Sequence, residues 1–411
     1  MLNGLLAGMS LALLGACSTP CEPGRLCAPV VANTSADASH PRAETLVRPA
    51  AAPLAAPSAP SVQTMPVTGP DAPRAPAEVN PIRIGLMLPL RSDALAGPAE
   101  AVKAGFMAAY ERDRAGFVIN LIDTGDGAED ALDAYLAAVK TNDVIVGPLA
   151  RPAVSMLATS GAVSKPTIAL NHPEGGSATA PPNLLIIGLS IEEEARQVAQ
   201  WAHAEHPKSS ALIISGNAAW QKRIAAAFAA RWQQLGNTAQ LVEVPVSGGY
   251  LHESGLGQVR SKIEGEPPAL VFAALDAPQL RQMRVATGAI PIYGTASVNP
   301  AAEPGSAVAE LDGVRLLDLP WQVQPDNPAV MVYPRRLGQT AMPDLDRLYA
   351  LGIDAFRVAR ELALHPGAPF QLDGVTGRLA VGTGKGQARF SRSETGVVYQ
   401  GGTYRLAEKK R

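Results

Sequence analysis

Cysteine is almost missing from this chain of 411 residues. The three cysteines that it has, Cys17, Cys21 and Cys27, all precede the region with regular hydrophobic patterning. The folded part of the chain is therefore expected to hold no disulfide framework, no thiol nucleophile and no cysteine metal site. Cys21 and Cys27 are close enough in sequence to pair in an oxidising compartment, but that bond would add little to the stability of the fold.

The chain also has little net charge. Its 35 Lys and Arg residues nearly balance its 37 Asp and Glu residues, which leaves a formal charge of −2 at pH 7. No basic block interrupts this balance. We therefore expect no nucleic-acid partner and no electrostatic adhesion to a membrane surface.

Sequence signatures of catalysis are missing as well. The chain has no G-x-S-x-G elbow and no H-E-x-x-H pair, and no Ser stands three residues before a Lys, as the S-x-x-K of penicillin-reactive enzymes requires. The run 382–386 is similar to a phosphate loop but lacks its spacing and lies among predicted strands, so we interpret it as a turn. His203 and His206 have no third ligand beside them in the sequence. We expect neither an enzyme nor a bound metal or cofactor.

The amino end of the chain carries a targeting pattern. Residues 1–16 are short and apolar and end in Leu14-Gly15-Ala16, directly before Cys17. Small residues after an apolar segment are typical of a secretory signal peptide, and this spacing to a Cys is the narrower pattern of a bacterial lipoprotein, although the basic start is missing. We predict a lipoprotein signal peptide over 1–16 and a diacylglycerol on the Cys17 thiol. An ordinary signal peptide or a transmembrane segment is the alternative, but a spanning helix needs about 20 apolar residues.

The next segment differs in composition from the rest of the chain. From about Ala28 to Asn80, Pro, Ala, Ser and Thr dominate, with no aromatic residue and no sustained period. Because frequent proline removes backbone donors and blocks helix formation, we predict that residues 17–80 are a lipidated cysteine followed by a disordered linker. Such a linker would reach between roughly 40 Å as a coil and roughly 160 Å when fully extended.

Strand and helix patterns alternate from Pro81 to Arg411, a stretch of about 330 residues that suffices for two lobes with separate cores. Apolar runs predict strands at 82–88, 117–123, 143–146, 167–170 and 184–189, and a second series at 211–215, 239–246, 269–275 and 291–294. Ser190 and Glu193 form a capping box that opens a helix. This alternation predicts parallel, doubly wound sheets in two Rossmann-like lobes that face each other across a cleft.

Two further patterns occur in the C-terminal part of the sequence. The stretch 345–363 predicts a helix with a break permitted at Gly352. The Gly-rich stretch 374–405 alternates apolar and polar residues and predicts β-hairpins.

Residues that follow the predicted strands are candidates for a ligand site, because open α/β sheets bind ligands at the carboxyl ends of their strands. The candidates are Pro89, Leu90, Ser92, Gly147, Pro148, Leu149, Asn171, Asn217 and Asp276. Each belongs to a residue type that commonly ends strands, so a purely structural role in a turn is the alternative.

Several segments resemble the penicillin-binding protein activator lipoproteins of the LppC/LpoA type. In chain order they are IGLMLPL, AGPAEAVKAGFMAAY, VIVGPLARPAV, PTIALN, LDRLYALGIDAFRVA and GVTGRLAVGTGKGQARFSR, and the most specific part is Asp346 to Arg357. The resemblance covers nearly all of 81–411. It implies an α/β periplasmic-binding-protein type I fold, with one lobe at about 81–190 and 311–365 and the other at about 191–310 and 366–411.

The resemblance implies regulation rather than catalysis. It implies an outer-membrane lipoprotein, held by its acyl chains (palmitate among them) and facing the periplasm, whose partner is a class A penicillin-binding protein, a bifunctional peptidoglycan synthase. Ser18 after Cys17 is compatible with sorting to the outer membrane. Larger members carry a helical domain before the binding-protein domain, and this chain has the linker there instead.

Two other functions stay open. The same fold serves solute-binding lipoproteins of transport systems, which close on a small ligand in the cleft. Residues 149–152, Leu-Ala-Arg-Pro, lack the hydroxyl pair that is typical of an amino-acid site in this fold. An enzyme acting on cell-wall fragments is the third function, and no residue pattern supports it.

Overall fold

The apolar runs of the sequence form strands, and the helices lie between them as the amphipathic pattern indicates. The computed structural model describes residues 80–175, 180–300, 308–336, 342–384 and 387–407. The described residues all belong to one compact unit. The predicted signal peptide, Cys17 and the linker up to residue 79 lie outside the described residues and stay predictions, as do residues 385 and 386 of the predicted turn.

The elements are numbered in chain order. The strands are β1 (Ile82–Leu88), β2 (Phe117–Asp123), β3 (Val144–Val146), β4 (Thr167–Ala169), β5 (Leu184–Ile186), β6 (Ser210–Ser215), β7 (Thr238–Glu243), β8 (Val246–Ser247), β9 (Tyr250–Leu251), β10 (Leu270–Ala274), β11 (Ile292–Gly294), β12 (Arg315–Asp318), β13 (Phe370–Asp373), β14 (Arg378–Gly384), β15 (Gln387–Ser393), β16 (Thr395–Gln400) and β17 (Thr403–Leu406). The helices are α1 (Ala96–Arg112), α2 (Ala128–Ala138), α3 (Arg151–Thr159), α4 (Ile191–Glu205), α5 (Ala219–Gln234), α6 (Glu253–Gly265), α7 (Ala277–Thr287), α8 (Pro320–Val323), α9 (Pro328–Met331) and α10 (Pro343–Leu364).

The first lobe is built on a five-stranded parallel sheet of order β2-β1-β3-β4-β5. Successive side chains of a strand point to opposite faces, so the apolar run of β1 serves two cores. Leu86 and Leu88 pack with α1 and α10 on one face, while Met87 packs with α2 and α3 on the other. Burial on both faces explains why β1 is a continuous apolar run rather than an alternating one.

The second lobe contains a seven-stranded sheet of order β17-β16-β12-β11-β10-β6-β7. Five of its strands are parallel, and β16 and β17 add to β12 as an antiparallel hairpin. Helices α4 and α5 cover one face, where Phe228 stacks on Phe272 with ring centroids 3.9 Å apart, and α6 and α7 cover the other. Ser190 caps α4, since its Oγ accepts a hydrogen bond from the Glu193 N–H at 3.2 Å, which is one half of the predicted capping box. The Glu193 carboxylate instead accepts from Arg196.

The chain passes between the lobes three times, and two of the passages differ from the predicted boundaries. We expected the chain to return to the first lobe at about residue 311, but β12 pairs with β11 and β16 in the second sheet, so the return follows Asp318. We also assigned 366–411 to the second lobe. The segment of β13 to β15 instead buries Val375, Leu379 and Val381 in the core of the first lobe, and β16 is the first strand after the chain passes back to the second lobe.

Helix α10 runs without a break through Gly352, contrary to the break that we allowed there. Gly352 faces α1, and a Cβ at this position would overlap the carbonyl oxygen of Val102 and lie 2.8 Å from the Phe106 nitrogen. Gly105 of α1 faces Tyr349 in the same way. The two glycines let the helix backbones approach closely, and Phe106 packs edge-on against Phe356 beside them at 5.3 Å.

Helix α3 was not predicted from the sequence. It starts three residues after Pro148, has Pro152 in its first turn, and buries Val154 and Leu157 against the first sheet. None of the described helices is long and apolar enough to span a membrane.

The contact between α1 and α10 makes a testable prediction about stability. Gly352→Ala should lower the free energy of unfolding by roughly 1 to 3 kcal/mol, because the new methyl group meets backbone that has no rotamer through which to yield. The measurement is the urea midpoint of unfolding at constant slope.

Gly257→Ala is the matched control. Gly257 lies inside α6, and nothing stands within 4 Å of the position of its Cβ, so alanine should stabilise this helix by up to about 1 kcal/mol. A Gly352→Ala protein as stable as the wild type would show that α1 and α10 are not held at this distance.

Candidate functional site

The residues after β1 tie a loop of the first lobe together. Ser92 is buried, donates its hydroxyl to Asp126 Oδ2 at 3.1 Å and accepts the Leu95 N–H at 3.1 Å, just before α1 begins. Pro89 is buried, and Leu90 packs on the core of this lobe. These contacts give Pro89, Leu90 and Ser92 a structural role in the loop. A structural role was the alternative to ligand binding for these predicted site residues.

The residues after β3 and β4 belong to two loops of the same lobe that contact each other. Gly147 has a φ of +120°, and a Cβ there would overlap the carbonyl oxygen of Met87, so only glycine fits. Leu149 is buried, and its carbonyl oxygen accepts a hydrogen bond from Asn171 Nδ2 at 3.1 Å. Pro148 is also buried. Asn171 thus joins two strand-ending loops of the first sheet.

A cavity of about 420 Å³ lies between the lobes, where three helices begin. The second lobe contributes the starts of α5 and α7 and the segment after β11, and the first lobe contributes α8 and the start of α10. The lining residues are Trp220, Asp276, Ala296, Ser297, Asn299, Gln322, Pro343, Asp344 and Arg347. We call this space the interlobe cavity.

Asp276 is the predicted site residue that lines the interlobe cavity; the predicted residues of the first lobe and Asn217 are not among its lining residues. Asp276 also caps α7, because its Oδ1 accepts the Gln279 N–H at 2.8 Å. Asn217 is exposed, with its Nδ2 3.5 Å from the Val246 carbonyl oxygen. Ligand binding by any of these residues stays a prediction.

An ion pair forms one wall of the interlobe cavity and joins the lobes. Arg347 of α10 directs Nη2 at Asp318 Oδ2, 2.8 Å away, and also at the carbonyl oxygen of Ala296 at 3.3 Å. Asp318 ends β12 and is fully buried, and it also accepts the Leu319 N–H and the Asn299 amide. Burial alone would lower the pKa of Arg347, but the Asp318 carboxylate outweighs that effect and raises it. Arg347 therefore stays charged.

A second arginine joins two of the three passages between the lobes through hydrogen bonds. Arg392, at the end of β15, donates Nη2 to the Ile187 carbonyl oxygen at 2.7 Å and Nη1 to that of Gly188 at 3.1 Å. Its Nε donates to Thr376 Oγ1, which in turn donates to the buried carboxylate of Asp354. The passage after β5 and the passage before β16 are therefore linked through one guanidinium.

Two glutamates lie beside these arginines. Glu194 of α4 is buried, and its Oε2 accepts the Ala296 N–H at 3.3 Å. Burial raises the pKa of Glu194 to about 7, and the Arg347 charge opposes this shift. Burial and the neighbouring Glu194 charge also raise the pKa of Glu394, whose Oε2 is buried with no hydrogen-bond partner among the described residues.

The sequence did not identify Arg347, Asp318, Arg392 or the two glutamates as site residues. Arg347 stands within the segment 346–357 that carries the family resemblance, which was a signal that we used for the family and not for the site. Arg392 likewise is the last residue of the resemblance segment 374–392, whereas Asp318, Glu194 and Glu394 lie outside the segments that carry the resemblance. Within the described parts of the chain, no group of three or more His, Cys, Asp or Glu residues is arranged to hold a metal ion.

The described groups line a cavity and join the two lobes. The described site consists of a cavity with charged walls and of ion pairs that set how the two lobes meet. Its groups hold backbone segments and one another in place, and the cavity has a volume within the range of small-ligand pockets.

The sequence matches one family model, described as "LppC putative lipoprotein", over residues 74–247 and 257–400. Curated relatives carry the name penicillin-binding protein activator LpoA. The one from Enterobacter sp. (strain 638) is 28% identical over 303 residues, which are 62% of this chain and 40% of the relative. The one from Glaesserella parasuis is 27% identical over 342 residues, 78% of this chain and 54% of the relative. The chain thus spans about half the length of these relatives, or less.

Solved structures show the same fold. A protein described as a "putative branched-chain amino acid ABC transporter" from Chromobacterium violaceum is 32% identical, with a TM-score of 0.64, and the match covers 77% of this chain and 99% of that one. The C-domain of LpoA from Haemophilus influenzae, described as a regulator of PBP1A, is 21% identical with a TM-score of 0.61, covering 79% of this chain and 100% of that one. The expected periplasmic-binding-protein type I fold is confirmed.

The buried glutamates make a testable prediction about pH. The pKa of Glu194 is about 7 in the folded protein, against an ordinary value of 4.5, so between these values the folded state binds more protons than the unfolded state. The free energy of unfolding should therefore fall as the pH rises from 5 to 8. For one such group the full effect is on the order of 3 kcal/mol.

Glu194→Gln should flatten this dependence and leave the protein more stable than the wild type at pH 8, measured by urea unfolding at several pH values. Glu193→Gln is the control, because Glu193 is exposed in the same helical turn. An unchanged slope in the Glu194 variant would show that this carboxyl is ionised throughout the range.

Proposed function

The chain belongs to the LppC lipoprotein family, and from this premise we propose that it activates a class A penicillin-binding protein and thereby increases peptidoglycan crosslinking. The observation that carries the proposal is the family match, which runs through both lobes. The curated relatives are named as activators, and the H. influenzae C-domain, described as a regulator, supports the same role on the basis of shared fold.

The geometry supports a role in docking rather than in catalysis. Arg392 and Arg347 join the passages between the lobes, so a partner that docks across both lobes would meet them held together by these contacts. An activator of this kind would act by binding the active conformation of the synthase more tightly than the inactive one. The stimulation that it produces is limited by this difference in affinity.

We further propose that the chain acts from the outer membrane, facing the periplasm. Lipid on Cys17 would supply the anchor, and the linker that follows it would supply the reach of roughly 40 to 160 Å needed to meet a synthase held elsewhere in the envelope. Family membership supports a lipoprotein, and Ser18 after the lipidated cysteine is compatible with this membrane.

A second candidate function is solute binding for a transport system. Two observations favour it: the 32% identity to the C. violaceum protein described as an ABC transporter component, and the cavity between the lobes. In this function the lobes would close on the solute and present it to a membrane permease. The fold alone does not distinguish the two functions.

Activation is tested by adding the purified full chain to a class A synthase from the same organism and measuring the crosslinked fraction of the peptidoglycan formed from lipid II. We expect crosslinking to rise with the dose of the chain and to saturate, because a single docking site fills. Binding to the synthase, measured separately, should saturate over the same range.

The chain in a heat-unfolded state is the control for non-specific effects of added protein. Saturable binding together with unchanged crosslinking would rule out activation while leaving a partnership. If the folded chain does not bind the synthase, solute binding becomes the favoured function. Titration with a panel of small solutes would then test it.

Lipidation is tested with one substitution. Cys17→Ser should abolish incorporation of labelled palmitate and release the protein from the membrane fraction, because the thioether to diacylglycerol needs the thiol at this position. Cys21→Ser is the matched control and should keep both label and membrane attachment. Equal labelling of the two variants would place the lipid elsewhere.

A further inference from the structure

We propose that the outer edge of β2 pairs with the same edge of a second copy of this chain, antiparallel and about a two-fold axis at Asn120. Strand β2 is the last strand of the five-stranded sheet in the first lobe, where it pairs with β1 on one side only. At the other end of that sheet, β5 lies against β15. This surface lies outside the interlobe cavity, and the proposal holds whether or not the chain activates a synthase.

The backbone of β2 directs hydrogen-bonding groups away from the sheet. In a parallel pair, alternate residues of a strand bond to the neighbouring strand. The Gly116 carbonyl oxygen accepts a hydrogen bond from the start of β1, and the Thr124 N–H donates to the end of β1, both at 2.9 Å. The even-numbered residues between them therefore face β1. The N–H and C=O groups of Ile119 and Leu121 lie on the outer edge, where another strand can bond to them.

The side chains of β2 leave apolar surface exposed on both faces of this edge. Leu121 is 48% exposed and shares a face with Ile119, on the side of α1. Val118 is 39% exposed and shares a face with Ile122, on the side of α2. Edge strands of soluble proteins usually carry a Lys, a Pro or a bulge that prevents pairing. The sequence of β2, FVINLID, has none of these, and its one charged residue is its last, Asp123.

The outer edge of β7, in the second sheet, differs from that of β2. Glu243 of β7 pairs with Lys222 at 2.8 Å. Gln240 of β7 donates to Glu266 at 2.8 Å and accepts from Lys262 at 3.0 Å. Polar and charged side chains of β7 and its flanking helices thus bond to one another along that strand, and such side chains disfavour pairing with another chain. The edge of β2 lacks this protection.

A two-fold axis at Asn120 matches the backbone groups and the side chains together. It places Ile119 opposite Leu121 of the second copy, and since both residues direct their N–H and C=O groups outward, they can exchange hydrogen bonds. Val118 then lies opposite Ile122 of the second copy on the α2 face. The apolar side chains that one chain exposes are therefore covered by the same side chains of the other, which is the self-complementarity of a symmetric dimer.

The charges at the two ends of β2 suit the antiparallel direction. Arg114 precedes the strand, is exposed, and contacts Glu111 only at 3.6 Å, a surface pair that contributes little. Asp123 and Asp126 follow the strand and are exposed. Antiparallel pairing brings the start of one strand beside the end of the other, so each Arg114 approaches the carboxylates of the other copy. This charge complementarity favours a second copy of the chain as the occupant of the edge.

Association is measured by sedimentation equilibrium of the full chain with Cys17, Cys21 and Cys27 replaced by Ser, so that neither lipid nor a native thiol links two molecules. Because pairing through one short strand buries a small area, the mass should rise from one chain to two between about 1 and about 100 µM. Added salt should weaken the dimer, since it screens the attraction between Arg114 and the carboxylates.

One substitution locates the edge. Leu121→Lys should weaken the dimer at least about tenfold, because it brings two ammonium groups into the paired edge. Its melting temperature should stay near that of the parent chain, since Leu121 is exposed. Leu241→Lys is the matched control, because Leu241 is a 61% exposed leucine in β7, the edge strand of the other lobe.

A cross-link tests the register. Residues that face each other in an antiparallel pair without exchanging hydrogen bonds have Cα atoms about 4.5 Å apart, which is within the reach of a disulfide. Asn120→Cys should therefore link two chains under mild oxidation. Val118→Cys is the matched control, because the two residues at position 118 would lie roughly 14 Å apart.

Each outcome decides the proposal. A dimer that is lost in Leu121→Lys, kept in Leu241→Lys, and linked through Asn120→Cys but not through Val118→Cys supports it. A chain that stays a monomer at the highest concentration overturns it, and if Leu121→Lys then weakens synthase binding, the edge belongs to the synthase. A dimer that Leu121→Lys leaves intact, or that Leu241→Lys weakens equally, overturns the assigned edge. Linkage through Val118→Cys alone overturns the assigned register.

Discussion

The guanidinium of Arg392 holds together the passages on which the two-lobed fold depends. The chain leaves the first lobe after β5 and leaves it again after β15, and Arg392 joins these passages by donating to two carbonyl oxygens of the earlier one. Gln197 reinforces the link from α4, since its Nε2 donates to the Arg392 carbonyl oxygen and its Oε1 accepts the Glu394 N–H. These bonds hold the two passages side by side and so help to set the angle between the lobes.

The contacts of the segment 346–357 explain its residue types in physical terms. This segment is the most specific part of the family resemblance. Arg347 pairs with Asp318 at the end of β12, and Gly352 allows the close crossing with α1. Asp354 is fully buried and accepts the backbone N–H groups of Val375 and Thr376 next to the Arg392 contact. One helix therefore connects the core of the first lobe to two of the three passages, and its residue types follow from those contacts.

Sequence patterns predicted the sheets well and the joints between lobes poorly. The run 82–88 coincides with β1 because burial on both faces makes a strand apolar throughout, and Ser190 with Glu193 marks the start of α4 because a cap is a local contact. The sequence did not indicate that the chain returns to the first lobe after Asp318, or that β13 to β15 pack in that lobe. Both depend on which of the two cores buries the side chains, and the alternation of apolar and polar residues does not specify a core. Asp276 was predicted as a site residue and lines the cavity, because the ends of strands border the cleft in this fold. Arg347 and Arg392 were not predicted, because they act through partners that are far away in sequence.

The position of the interlobe cavity connects the two functions that this fold supports. Both lobes line this cavity, so a ligand held in it would stabilise one arrangement of the lobes. If the synthase docks across both lobes, that ligand and the synthase select among the same arrangements, and each must change the affinity of the other by the same factor. If the synthase docks on one lobe, the coupling is close to zero and ligand binding leaves activation unchanged. Measuring synthase affinity with and without a small ligand in this cavity would therefore report the extent of the docking surface, because reciprocity holds for any mechanism of closure.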